Sequence, residues 1–279
     1  MSAPETDAPG GHAPSGHPLD LAAAASLDGD DGDRGFVVGE EDRGTPASTW
    51  QAWRPDLPEL AFDDWRRVVV IAAHPDDDVL GVGGLLARLA DRGTEVIGVQ
   101  LTDGTAAYPD SPTLSPSELG RVRVAEARRA YARLGLAPPL RCELQDGRLG
   151  EHEDAIAERL RPLFRPGDRW LVPWRHDQHP DHEAAGRAAA RVCTRSAGGE
   201  LWEYPVWMWH WAHPTGSGLG WDSAYLHHLT PAQRDHKRRA ACEFRSQLRP
   251  LSPHPADAPV VPPFAFERLV SPRELVFRG

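Results

Sequence analysis

Cysteine is scarce in this 279-residue sequence: Cys142, Cys193 and Cys242 are widely spaced, odd in number and form no Cys-x-x-Cys pair. This argues against a disulfide framework and points to a reducing cytoplasm, with the thiols read as small buried hydrophobes. No apolar run of about 18 residues occurs, so no membrane span is expected. The first residues lack a basic stretch followed by a long apolar one, so no secretory signal is expected either. There is no basic stripe for a nucleic-acid partner. A Gly-x-Gly-x-x-Gly turn is also missing, since Gly81, Gly83 and Gly84 do not make one. That disfavours a nucleotide-binding oxidoreductase or methyltransferase.

Charge is present but uneven. The formal net charge is −10, and residues 1–50 hold 10 Asp/Glu against 2 Arg, leaving the rest near neutrality. Residues 1–45, rich in Gly, Pro, Ala, Asp and Ser, offer little to bury and are expected to form a disordered acidic tail. Residues 46–279 are then expected to form a single domain. At its start, Trp50, Trp53, Leu57, Leu60, Phe62 and Trp65 suggest a strap packed on the domain.

From Val68 onward strands and helices alternate. Continuous β-branched or apolar runs at 68–73, 95–101, 140–144, 170–173 and 201–206 read as strands, the first buried on both faces. Helices are expected at 80–92, 117–134, 153–164, 182–195 and 231–248. The order implies an α/β fold with a mainly parallel sheet, whose sites lie beyond the carboxyl ends of the strands. The unusual polar clusters all fall there: His74-Pro75-Asp76-Asp77-Asp78, Thr102-Asp103-Gly104, Gln145-Asp146-Gly147, and the run from Arg175 to His182.

Two clusters carry metal chemistry. His74 and Asp77, three apart where a strand turns into a helix, can aim an imidazole and a carboxylate at one point, a pair that suits zinc. Asp76 between them is free to handle a proton. His179 and His182 repeat the spacing, and one of them can complete a two-His, one-carboxylate set that leaves positions for water and substrate. Asp181 can orient an imidazole. The bland alternatives are a turn with a helix cap and a solvated loop. They do not explain why both clusters stand at matching strand ends. The aromatic stretch Trp202, Tyr204, Trp207, Trp209, Trp211 and Trp221 reads mostly as packing, with one or two rings at the mouth of the site. His210, His213, His227, His228 and His236 read as surface or packing residues, and Lys237 to Arg239 as the solvated face of a helix.

At these residues the sequence resembles the PIG-L/LmbE-like deacetylase family, whose mark is a His-Pro-Asp-Asp-Glu segment with a distant His-Pro-Asp-His. Here they stand as His74-Pro75-Asp76-Asp77-Asp78 and His179-Pro180-Asp181-His182. Gly83-Gly84, Thr102-Asp103-Gly104, Arg123 with Glu126, Leu134-Gly135, and Lys237 with Ser246-Gln247 also match, over about residues 66–250. The resemblance implies a Rossmann-like, three-layer fold and zinc-dependent N-deacetylation of a GlcNAc-type amino sugar. It assigns His74, Asp77 and His182 as ligands of one Zn2+ per chain, although ligand types alone leave Fe2+ or another divalent ion open. It makes Asp76 the general base and His179, kept charged by Asp181, a stabiliser of the transition state. Arg123 and Asp146 would contact substrate. Two positions depart from the pattern: the usual Glu is Asp78, and a His expected before the Ser-Gln pair is Phe244. A metal-dependent phosphoesterase and a non-catalytic metal- or sugar-binding module are the rival readings. The oligomeric state is left open, a homo-oligomer included.

Overall fold

The computed structural model describes residues 42–195 and 198–279. The expected disordered tail lies outside these residues, apart from 42–45. There Thr45 is already fixed, its N–H donating to His210 O (2.8 Å) and its hydroxyl to Ala212 O (2.7 Å).

The first strand, β1 (Arg67–Ala72), is buried along its whole length. Side chains alternate across a strand, so Val68 and Val70 enter one hydrophobic cluster and Val69 and Ile71 the other. A continuous apolar run is therefore a strand covered on both faces. It pairs in parallel with β2 (Glu95–Thr102) on one side and β4 (Arg169–Pro173) on the other. The remaining strands are β3 (Leu140–Leu144), β5 (Glu200–Tyr204), β6 (Ala224–His228) and β7 (Arg273–Arg278). They complete a seven-stranded sheet of order β3-β2-β1-β4-β5-β7-β6, with β7 antiparallel to both neighbours.

Helices α2 (Asp77–Asp91) and α3 (Pro116–Arg133), with α7 (Pro231–Ala241), supply Leu85, Leu86, Leu89, Ala130, Tyr131 and Ala240 to one face. Helices α4 (Glu153–Leu160) and α5 (Pro180–Arg195) supply Ile156, Leu160, Ala184 and Ala188 to the other. The result is the expected three-layer α/β fold. The strap is also present. Its helix α1 (Ala47–Ala52) buries Trp50, whose indole N–H donates to Trp209 O (2.8 Å), and Leu60 N donates to Leu226 O (2.7 Å). Among the described residues no helix is long and apolar enough to cross a membrane.

Three expectations need correction. β6 and β7 were not foreseen. The helix expected over 231–248 is broken into α7, which ends at Ala241, and α8 (Arg245–Leu248), with the buried Phe244 between them in a non-helical backbone (φ −78°, ψ 59°). Lys237, the single lysine of the sequence, is not on a solvated face. It is buried, and its ammonium lies 2.8 Å from the buried Glu274 carboxylate.

The reason for that ion pair lies in α2. Its backbone breaks at Val82 (φ −131°, ψ 23°), which frees groups that an unbroken helix would pair. Glu274 takes the freed donors, accepting from Gly84 N and Leu85 N at 2.7 Å each. Lys237 takes the freed acceptor, donating to Gly81 O at 3.2 Å. The pair thus repairs the kink and fastens α7 and β7 to the helix that starts at the polar cluster.

Replacing Lys237 by Met leaves the Glu274 charge buried and alone, and should cost about 3–5 kcal/mol in urea unfolding. The control Arg239→Met, in an exposed pair with Asp235, should cost less than about 1 kcal/mol. Equal, small losses in both variants would show that the buried pair does not hold the kink.

Candidate metal and active site

β1 and β4 are adjacent, but the chain runs outward from them in opposite directions, through β2 and β3 on one side and β5 on the other. Their carboxyl ends therefore flank a crevice, the place where open α/β sheets bind ligands. The loop after β1 delivers His74, Asp76 and Asp77. The loop after β4 delivers Asp177 and His179, with Gln178 in the left-handed region (φ 58°) at the turn, and the first turn of α5 delivers Asp181 and His182.

The first three candidate ligands converge. His74 Nδ1 lies 3.3 Å from Asp77 Oδ2, His182 Nε2 lies 3.1 Å from Asp77 Oδ1, and the two nitrogens are 3.3 Å apart. Ligands about 2.0–2.1 Å from a tetrahedral zinc are separated by about 3.3 Å; the two nitrogens stand at that distance, each against a different oxygen of Asp77. Both imidazoles are also turned by carboxylates behind them. His182 Nδ1 is 2.7 Å from Asp177 Oδ2, while His74 Nε2 is 3.2 Å from Asp146 Oδ1 and 3.3 Å from Asp181 Oδ2. A carboxylate that accepts one ring N–H leaves the other nitrogen's lone pair pointing at the shared centre.

The electrostatics agree. Burial opposes charge on both imidazoles, yet Asp77 and its neighbouring carboxylates outweigh it, raising His74 well above its ordinary value and His182 to about 9. Asp77 is likewise buried, and His182 and His74 hold it far below the carboxylate range. Four buried carboxylates around two imidazoles leave an excess of negative charge that a divalent cation offsets. His74 and Asp77 line an open pocket, whereas His182 is fully buried behind them, so the centre is reachable from one side.

The other expected residues are placed as follows. Asp76 lines the pocket, its Oδ1 held by Arg123 Nη2 at 2.8 Å; burial raises its pKa against that guanidinium. Arg123 also donates to Gly104 O (3.0 Å), so it reaches the pocket while bracing Asp76. Asp146 stands behind His74 and accepts from Ala106 N (2.7 Å), and its carboxylate borders the pocket as well. His179 stacks on His182, with ring centres 4.4 Å apart, and faces the pocket. Burial, then His182 and His74, push its pKa well below the ordinary value, which opposes the imidazolium expected from the sequence. Asp181 supports His74 instead, and its oxygens also accept from Gly147 N (2.8 Å) and Leu149 N (2.9 Å). Asp78 turns away from the site: its carboxylate takes the Tyr131 hydroxyl and Val79 N, and burial raises it to about 7.

Sequence reasoning missed two groups. Asp177 lies in the polar run from Arg175 to His182, where the sequence alone assigns it no role. It is fully buried and also accepts from Val206 N, Trp207 N and Met208 N, so it fixes both His182 and the turn carrying Trp207. Its position two residues before His179 was the available signal. Gln247 is held in the pocket because Ser246 donates through N (2.9 Å) and Oγ (2.6 Å) to Glu126 of α3. Of the aromatic stretch, only Trp207 lines this pocket, while Trp209 packs edge-on against Trp50.

The PIG-L family model, described as GlcNAc-PI de-N-acetylase, matches residues 69–193. A diacetylchitobiose deacetylase of Thermococcus kodakarensis is 33% identical over 132 residues, 45% of this chain and 48% of that protein. A 1D-myo-inositol 2-acetamido-2-deoxy-alpha-D-glucopyranoside deacetylase 1 of Saccharopolyspora erythraea is 32% identical over 167 residues, 45% of this chain and 54% of that protein. This chain thus spans about half the length of these relatives. The solved N,N'-diacetylchitobiose deacetylase from Pyrococcus horikoshii superposes with a TM-score of 0.55 at 25% identity, covering 67% of this chain and 72% of that one. Residues 69–193, the segment that carries the two motifs, thus match the PIG-L family, and the fold that holds them is similar to that of a solved deacetylase.

Proposed function

We propose that this protein is a metal-dependent hydrolase that removes an N-acyl group, first of all N-acetyl, from an amino sugar or glycoside of the GlcNAc type. The observation that carries this reading is the convergence of His74 Nδ1 and His182 Nε2, 3.3 Å apart, on the two oxygens of Asp77 at 3.3 and 3.1 Å, with His74 and Asp77 lining an open pocket. The relatives named above are deacetylases of acetylated amino sugars, which supports the substrate class. We take the ion to be zinc, one per chain, on the nitrogen and oxygen donors and their spacing. We place the protein in the cytoplasm, in keeping with three cysteines that form no disulfide.

His74, Asp77 and His182 would hold the ion, and a divalent ion there supplies Lewis acidity and acidifies water at neutral pH. Asp76 is the general base. Arg123 fixes one of its oxygens, so the carboxylate keeps one orientation while it takes a proton from water and returns it to the departing amine. His179 donates a hydrogen bond to the amide oxygen as negative charge develops there. Asp181 and Asp146 keep the His74 ring oriented, as Asp177 does for His182. Arg123 and Gln247 are the polar groups of the pocket offered to the sugar.

Three outcomes follow. Asp76→Asn should lower kcat on an N-acetylglucosaminide by about 10²–10⁴-fold while the metal content stays unchanged. Ordinary turnover in that variant would overturn the assignment. His182→Ala should lose the metal by elemental analysis. Asp177→Asn should keep the ligands but weaken metal affinity by about 10–100-fold in a chelator competition; an unchanged affinity would reduce Asp177 to a structural cap.

A further inference from the structure

Two connecting segments build one wall of the pocket. Ala106 and Ala107 come from the loop after β2, and Val260 and Val261 from the segment after α8. Val261 is buried, while Ala106, Ala107 and Val260 are only half-buried, so polar contacts share in holding the two together. Between them sits Asp257, fully buried. Among the described residues its carboxylate forms no ion pair with an arginine. It is satisfied by hydroxyls: Ser111 Oγ donates to Oδ1 at 2.5 Å, while Thr113 and Ser252 donate to Oδ2.

The donors come from both sides. Ser111 and Thr113 belong to the loop after β2, and Ser252 to the same segment as Asp257. A charge taken out of water is costly unless hydrogen bonds satisfy it, and bonds to an ionised acceptor are stronger than neutral ones. Separating the two loops would strip two of the three donors from a buried anion, so the charge makes their contact cooperative. Ser111 extends the effect, because its hydroxyl also accepts from Thr113 N (3.1 Å) and Leu114 N (3.2 Å) and so sets the turn of its own loop. Neutral ties lie alongside: Tyr108 donates to Ser246 O (2.6 Å) and Val261 N to Gln247 O (2.9 Å).

We propose that Asp257 is a positioning residue: its carboxylate pins the loop of Ala106 and Ala107 to the segment of Val260 and Val261 and so fixes the width of the pocket for the substrate. It touches none of the reacting atoms. The inference rests on the hydrolase reading for its kinetic consequence, but the latch itself can be read without turnover.

The test uses the full-length, metal-loaded protein and the double variant Ser111→Ala/Thr113→Val, which cuts the link between loops and leaves Asp257 with Ser252. Amide hydrogen exchange should quicken in both 105–114 and 249–262. KM for an N-acetylglucosaminide should rise about tenfold with kcat nearly unchanged, the mark of lost uniform binding. Ser252→Ala should quicken exchange in 249–262 alone. Asp257→Asn, which keeps one acceptor oxygen, should fall between the double variant and the parent. Exchange that quickens only in 105–114, or a fall in kcat at constant KM, would overturn the proposal. If the parent protein hydrolyses no amide, the hydrolase reading fails, and the exchange pattern still decides whether the latch exists.

Discussion

The structure depends on one electrostatic constraint: two imidazoles from remote loops must present lone pairs to the same point, beside one aspartate. An imidazole has two nitrogens and can turn either way. Here buried carboxylates settle the choice, Asp177 behind His182 and Asp146 with Asp181 behind His74. Each of those carboxylates is itself fixed by backbone N–H groups: Val206 and Trp207 for Asp177, Gly147 and Leu149 for Asp181, Ala106 for Asp146. The orientation of the proposed ligands is therefore written into the main chain of the loops around the sheet, which would let a metal centre keep its geometry before an ion arrives.

The rest of the fold serves that convergence. β1 and β4 must be neighbours for the two loops to meet, and the doubly buried β1 makes them so. Helix α2 begins at Asp77 itself, so any drift of that helix moves a ligand. Its kink at Val82 is repaired by Glu274 and Lys237, which ties the middle of the helix to β7. Asp78 fastens its first turn to Tyr131 of α3. Three consecutive aspartates thus point in three directions: Asp76 toward Arg123 and the pocket, Asp77 toward the imidazoles, Asp78 into the core.

Much of this was legible in the sequence because it is local. The run Val68 to Ala73 announces a buried strand, and a histidine with three aspartates directly after it has no cheap structural explanation. The helix expected over 117–134 spans Pro116–Arg133 and opens with a capping box of Ser115 and Glu118. What stayed hidden depends on distant partners. Lys237 looks like one more cation on a basic helix, and only β7 reveals why it is buried. Asp181 was assigned by its nearness in sequence to His179, whereas the turn directs it across to His74 and the loop at Gly147. Strands β6 and β7 are only five and six residues long, so neither carries a long period-2 signal. Asp257, in a Pro- and Ala-rich stretch, gains meaning only from hydroxyls about 145 positions away.

The most direct test of the account is a crystal structure of the zinc-loaded protein with anomalous scattering recorded on both sides of the zinc absorption edge. The account predicts one zinc peak, bound by His74 Nδ1, Asp77 and His182 Nε2 and open toward the pocket wall formed by Asp76 and His179. A peak ligated instead by His74, Asp146 and Asp181, or no peak at this crevice, would contradict it.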